Sequence, residues 1–161
     1  MGVTAALPPF QRFLDSNREA VWRFLLVAAG PADAEDCFQE TFIAALRAYP
    51  RVRPESNLRA WVLTIAHRKA MDAHRSRRRN AVPVAEPQAL DARAEPLPDG
   101  RDELLWEAVR RLPDRQRSAV VLRYVVDLPH REIASAIGCS EEAARRSLHE
   151  GLTKLRREVA A

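Results

Sequence analysis

The sequence predicts an all-α protein of two small helical domains joined by an extended linker. Three observations carry that expectation. Apolar residues fill 47% of the 161 positions while aromatics supply 6% and glycines number 5, a mix that favours helices over sheets. Apolar positions recur at helical spacing through residues 8–80 and again through 101–159. Between them, residues 81–100 hold Pro83, Pro87, Pro96 and Pro98 with Glu86, Asp91, Glu95 and Asp99 against a single Arg93. No apolar period survives there, so the stretch reads as a semi-extended acidic linker.

The first helix follows Phe10, Phe13, Leu14, Val21, Phe24, Leu25 and Ala28 and stops at Gly30-Pro31. A second is expected after Asp33 as N-cap, with Glu35 and Asp36 in its first turn and Phe38, Phe42, Ala45, Leu46 and Tyr49 keeping the period until Pro50. The loop "RVRPESN" precedes a third helix with Leu58, Trp61, Val62, Ile65 and Ala66 on one side. Spacing makes Trp61 a core residue rather than a platform for bases, and Trp22 and Trp106 read the same way. The third helix ends in "HRKAMDAHRSRRR", where six Lys and Arg side chains face one acid, Asp72. Such a run is either a solvated helix end or a set of phosphate contacts.

Beyond the linker, Leu104, Leu105, Ala108, Val109 and Leu112 mark a fourth helix, and Pro113 starts a fifth, "PDRQRSAVVLRYVV". In "REIASAIGCSEEAARRSL", Ile133, Ala134 and Ile137 form the apolar edge of a short helix that ends at Gly138 in a positive-φ turn. Ser140 caps the next helix, and Glu141 and Glu142 suit the positive end of its dipole. There Ala144, Leu148, Leu152 and Leu155 face inward while Arg145, Arg146 and His149 face outward. This is the layout of a helix-turn-helix, whose second helix offers its N-terminal side chains to a groove of DNA. A plain helical hairpin with a basic face is the alternative.

Several classes of chemistry find no support. The four histidines lack zinc-helix spacing, no CxxC occurs, and neither a phosphate-binding glycine loop nor a nucleophile elbow is present. No catalytic residue, metal site or cofactor is expected, and no enzyme activity. Cys37 and Cys139 are expected to be unpaired thiols of a cytoplasmic protein, and the longest uncharged apolar run, Phe24 to Gly30, is too short for membrane insertion. The formal charge of +4 and pI near 9.7 are compatible with a polyanionic partner.

The order "DAEDCFQETFIAALRAY", "NLRAWVLTIAHRKAMDAHRSRRR", acidic linker, "LPDRQRSAVVLRYVVDLPHREIASAIGCSEEAARRSLHEGLTKLRRE" resembles a bacterial RNA polymerase sigma factor of the extracytoplasmic-function (ECF, group 4) sigma-70 family. The resemblance covers nearly the whole chain. It implies region 2 at 8–80, for core polymerase binding and −10 recognition and melting, a linker at 81–100, and region 4 at 101–159, for −35 recognition. It implies that Asp33, Asp36, Gln39, Glu40, Ile43 and Arg47 meet the clamp helices of the largest polymerase subunit, as suits a polar-rimmed interface around an exposed apolar residue. It assigns Val52, Arg53, Ser56, Asn57, Arg68, Asp72, Arg75, Arg77 and Arg78 to the −10 element. It assigns Arg131, Ser140, Glu141, Glu142, Arg145, Arg146 and His149 to the −35 element. Implied partners are core RNA polymerase, including the flap of its second-largest subunit, promoter DNA, and an anti-sigma factor of the kind that holds relatives inactive.

Some positions depart from the family pattern. Val52 stands where many relatives carry an aromatic, Arg68 where they carry Asn, and Pro129 where a capping Ser is common. Glu150 replaces a cation, and Gly151 should weaken the recognition helix by about 1 kcal/mol relative to Ala. An unusual −35 preference or a low intrinsic affinity is therefore expected. A stand-alone helix-turn-helix regulator and a degenerate sigma-like protein-binding adaptor are the competing functions.

Overall fold

A computed structural model describes residues 6–80 and 103–161 of the chain, and the expected acidic linker therefore lies outside the described residues. Seven α-helices follow one another: α1 (Phe10–Ala28), α2 (Pro31–Ala48), α3 (Leu58–Arg79), α4 (Glu103–Arg111), α5 (Asp114–Tyr124), α6 (His130–Ile137) and α7 (Glu141–Ala160). The described residues contain no strand, and the all-α expectation is met.

Helices α1, α2 and α3 pack on one another around Phe13, Val21, Phe24, Leu25, Phe42, Val62 and Leu63. Phe13 sits at the centre of an aromatic group, its ring centroid 5.1 Å from Tyr49, 5.5 Å from Phe10 and 5.7 Å from Trp61. Trp61 is thus a packing residue, as its spacing predicts. Helices α4 to α7 form a second unit around Val109, Leu112, Val121, Leu122, Ile133, Leu148 and Leu155.

The start of α2 differs from expectation. Asp33 is not its N-cap: Gly30 is, at φ 87°, and its carbonyl accepts from the amides of Asp33 (3.2 Å) and Ala34 (3.0 Å). Pro31 then occupies the first helical position, where its preset φ fits and its missing N–H is not needed. Asp33 is left in the first turn, where the helix dipole favours its charge. Likewise Pro113 caps α5 from outside rather than starting it. The period also over-assigns inward positions, since Leu46 and Leu104 are 54% and 77% exposed.

The helix-turn-helix forms as its residues predict. Gly138 ends α6 in the left-handed region at φ 70°, and the Ser140 hydroxyl accepts from the Ala143 amide at 3.1 Å. Gly151 has a purpose that sequence alone does not reveal. A Cβ there would lie 3.0 Å from Val120 Cγ2 and 3.4 Å from Gln116 Cβ, so its absence lets α7 approach α5 closely. Glu150 beside it accepts a hydrogen bond from Gln116 Nε2 at 3.1 Å, which directs this carboxylate toward α5.

Candidate polymerase and nucleic-acid interfaces

The outer face of α2 is built by a helix whose inner face is fixed by Ala34, Cys37, Thr41, Phe42 and Ala45. That register leaves Asp36, Gln39, Glu40, Ile43 and Arg47 exposed together, with Ile43 at 50% and Leu46 beside it. The result is an apolar centre rimmed by charge, the anatomy of a protein-docking patch. Asp33 stands apart from this group, because its carboxylate pairs with Arg77 on α3. Below the patch, burial and the nearby carboxylates of Asp33, Glu40 and Asp36 push the Cys37 thiol up to about 11, leaving it a packing residue.

The segment from Val52 to Asn57 is held at both ends. The Val52 amide donates to the Tyr49 carbonyl at 3.1 Å, and the Ser56 amide to the Arg53 carbonyl at 3.0 Å. Asn57 caps α3 by accepting from the Ala60 amide at 3.1 Å, while its Nδ2 donates to Glu132 on α6. Arg53 is exposed, and Val52 and Ser56 are half-buried.

The basic end of α3 is less free than its composition implies. Arg75 pairs with Asp72 at 2.8 Å, Arg77 with Asp33, and Arg78 with Asp114 of α5 at 3.5 Å. Lys69 lies 4.0 Å from Glu40. Arg68 and Arg79 are exposed and make no ion pair among the described residues. His67, one turn before Met71, is largely buried and its Nδ1 has no hydrogen-bond partner among the described residues. Burial, reinforced by the charge of Arg115, pushes its imidazolium down to about 4, against a smaller opposing pull from Asp114.

On α7, Glu141, Glu142, Arg145, Arg146 and His149 are all exposed on one end of the helix, while Ala144, Ser147, Leu148, Gly151 and Leu155 are buried. Arg145 donates to Glu141 at 2.8 Å. Arg131 is exposed on α6. Six of the seven residues assigned to the −35 element thus lie on the cap and first turns of α7, with Arg131 at the start of α6, whereas the nine assigned to the −10 element divide between the loop 52–57 and the C-terminal half of α3.

Comparison with known proteins decides the family. Residues 13–80 match the family Sigma-70 region 2, and residues 102–155 match Sigma-70, region 4. The ECF RNA polymerase sigma factor SigD of Mycobacterium tuberculosis is 31% identical over 160 residues, covering 92% of this chain and 76% of that protein. The chain belongs to the ECF sigma factors of the sigma-70 family. RNA polymerase sigma factor CarQ of Myxococcus xanthus is 38% identical over 127 residues, covering 76% of this sigma factor and 72% of CarQ. The fold is also that of the sigma factor RpoE solved with the anti-sigma factor NepR from Bartonella quintana, with a TM-score of 0.78 at 22% identity over 94% of this chain and 97% of RpoE. CnrH, solved with the cytosolic domain of CnrY, gives 0.71 at 23% identity, over 94% and 87% of the two chains.

Sequence reasoning passed over four side chains that the structure makes prominent: Arg59, His74, Arg117 and Glu132 all bond between the two helical units. Arg117 is the most informative. It is 5% exposed, and its guanidinium donates to Asp114 at 2.7 Å and to the Arg110 and Leu112 carbonyls at 3.0 and 3.3 Å. A signal existed for α5, whose run from Arg117 to Leu122 is buried without interruption. A helix apolar on all sides of one turn must be covered on all sides.

Proposed function

We propose that this chain is a promoter-specificity subunit: it binds core RNA polymerase through region 2 and directs initiation by engaging −10 and −35 elements through regions 2 and 4. The observation that carries the reading is the pairing, in one chain and in that order, of a region 2 match bearing the charged-rim patch on α2 with a region 4 match bearing a capped recognition helix. In this reading 8–80 and 101–159 are the working domains and 81–100 joins them. Asp36, Gln39, Glu40, Ile43 and Arg47 meet the polymerase clamp, with Asp33 supporting the helix start through Arg77. Arg53, Asn57, Arg68, Asp72 and Arg75 serve the −10 element, while Arg145, Arg146 and His149 serve the −35 element. Its place of action is the cytoplasm, beside polymerase, and its role is to position rather than to catalyse. The anti-sigma complexes of RpoE and CnrH support an anti-sigma protein as a further partner.

The test mixes purified protein with core polymerase and scores promoter-dependent transcripts from genomic fragments. Transcripts are expected, and Asp36→Arg with Gln39→Ala should weaken competition for core while helical circular dichroism is retained. DNA binding without core engagement would instead mark a stand-alone regulator, and core binding without transcripts an adaptor.

A further inference from the structure

The recognition helix is acidic for a surface that meets DNA. Helix α6 forms the seam between the two helical units, lying on α3, while α7 packs on α4, α5 and α6. Along the exposed positions of α7 stand Glu141, Glu142, Glu150 and Glu158. Duplex DNA carries one negative charge per roughly 1.7 Å of its axis, so each carboxylate presented to it opposes binding.

Three of the four have a partner. Glu141 accepts from the Arg145 guanidinium at 2.8 Å, Glu150 accepts from Gln116 Nε2 on α5 at 3.1 Å, and Glu158 lies 4.0 Å from Arg111 of α4. The last two are thereby drawn toward neighbouring helices. Glu142 makes no hydrogen bond or ion pair among the described residues, although Arg146 stands at the i+4 position where helical ion pairs form. Glu141 and Arg145 satisfy each other across that same spacing. Glu142, Arg146 and His149 therefore follow at i, i+4 and i+7 as a separate exposed stripe whose side chains are free to meet bases. The helix dipole attracts an acid in the first turn, and Glu141 already supplies one.

The chemistry of base edges says what such a stripe can read. In the major groove guanine shows two acceptors, and thymine an acceptor and a methyl group, none of which suits a carboxylate. Adenine shows a donor with an acceptor beside it. Cytosine shows its N4 donor with no acceptor of its own beside it, so it is the base that a carboxylate matches. Arg146 carries the forked donors that guanine O6 and N7 accept together. Four residues of helix advance about 6 Å, which is no more than about two base-pair steps of roughly 3.4 Å.

We propose that Glu142 is a specificity residue of the −35 contact, its carboxylate accepting from N4 of a cytosine in the major groove while Arg146 reads a guanine one or two base pairs away. The inference rests on the sigma reading above. Glu142 selects by exclusion: it weakens binding to most sequences and restores it where cytosine stands opposite.

The test uses holoenzyme made from the full chain and core polymerase. The probe is a duplex library that randomises the −35 positions of a promoter first mapped by run-off transcription with wild type, and bound duplexes are recovered and sequenced. Wild type should enrich cytosine at one position and guanine at another, one or two steps away, by about tenfold each. Glu142→Gln offers the donor and acceptor that adenine N6 and N7 match, so the first preference should change from cytosine to adenine. Glu142→Ala should lose that preference, and Arg146→Ala should lose the guanine and keep the cytosine. Both Glu142 variants should bind the duplexes that wild type rejects about threefold more tightly, because a charge opposing the phosphates is gone. If Glu142 serves only the helix dipole, its variants lower the melting temperature and leave the enriched sequence unchanged, and the proposal is overturned. Retention of either base by the variant lacking its reader overturns it too, as does a wild type that enriches no cytosine. A wild-type holoenzyme that yields no transcript overturns the sigma reading instead, a separate outcome.

Discussion

Lowering the pH should destabilise this protein through His67 in particular. Its ring lies at the seam, largely buried, 6.4 Å from the Phe24 ring centroid, with Arg115, Arg68 and Arg117 opposing its proton and Asp114 the one carboxylate favouring it. In the folded chain it accepts a proton only near pH 4, whereas in the unfolded chain it does so near 6.5. Between those values the unfolded state binds the proton that the folded state refuses. Stability is therefore complete above about pH 6.5 and declines as pH falls toward 4. At pH 5 the loss attributable to this one residue is about 2 kcal/mol. The assay is urea unfolding at pH 7 and pH 5 of wild type and His67→Gln, which cannot titrate. The acid-induced loss should be about 2 kcal/mol smaller in the variant, because carboxylates and the other histidines contribute equally to both. Equal losses in the two proteins would refute the argument that burial keeps this ring neutral.

Other expectations follow from the same contacts. Gly151→Leu should lower the urea midpoint by the equivalent of about 1–3 kcal/mol because the side chain has nowhere to go between α7 and Val120; an increase in the midpoint would show that helix propensity outweighs packing. Truncating Arg145 and Arg146 together should cost roughly 1–3 kcal/mol for each bidentate hydrogen-bonded pair with a base that it removes, read as reduced discrimination between −35 sequences. If the loss is instead uniform across sequences and the salt slope flattens, the two side chains meet phosphates only. Arg117→Ala should destabilise region 4 by roughly 3 kcal/mol, since it strips a charged donor from two buried carbonyls and from Asp114. A thiol reagent at pH 8 should label Cys139 and spare Cys37 in the native protein, with both reacting in denaturant.

The local pieces of this fold were legible in the order of its residues. Helical spacing of Phe13, Val21, Phe24 and Leu25, the turn at Gly138, the cap at Ser140 and the inward row Ala144, Leu148 and Leu155 depend on interactions within a few residues, and all are present in the structure. The outward set on α2 was legible for the same reason, since a helix with Cys37, Thr41 and Ala45 inside must turn Asp36, Glu40 and Ile43 out. Asp33 was misplaced because capping preference is a local propensity, and the Gly30-Pro31 pair offers the chain an earlier start. Charge counting overestimated the free cations of α3, because Asp33 and Asp114, the partners of Arg77 and Arg78, come from other helices.

How the two regions meet is a matter of tertiary packing alone. Nothing periodic in "LRAWVLTIAHRKAMDAH" says that His74 faces Arg117, or that Arg59 finds the Val126 carbonyl. Those bonds join residues 43 and 67 positions apart, beyond the reach of any local propensity. The purpose of Gly151 was hidden likewise, for a missing Cβ is a defect to the helix alone and a necessity once α5 lies against it. Local propensity specifies elements one at a time, whereas close approach and long-range polar pairing exist only between elements already made.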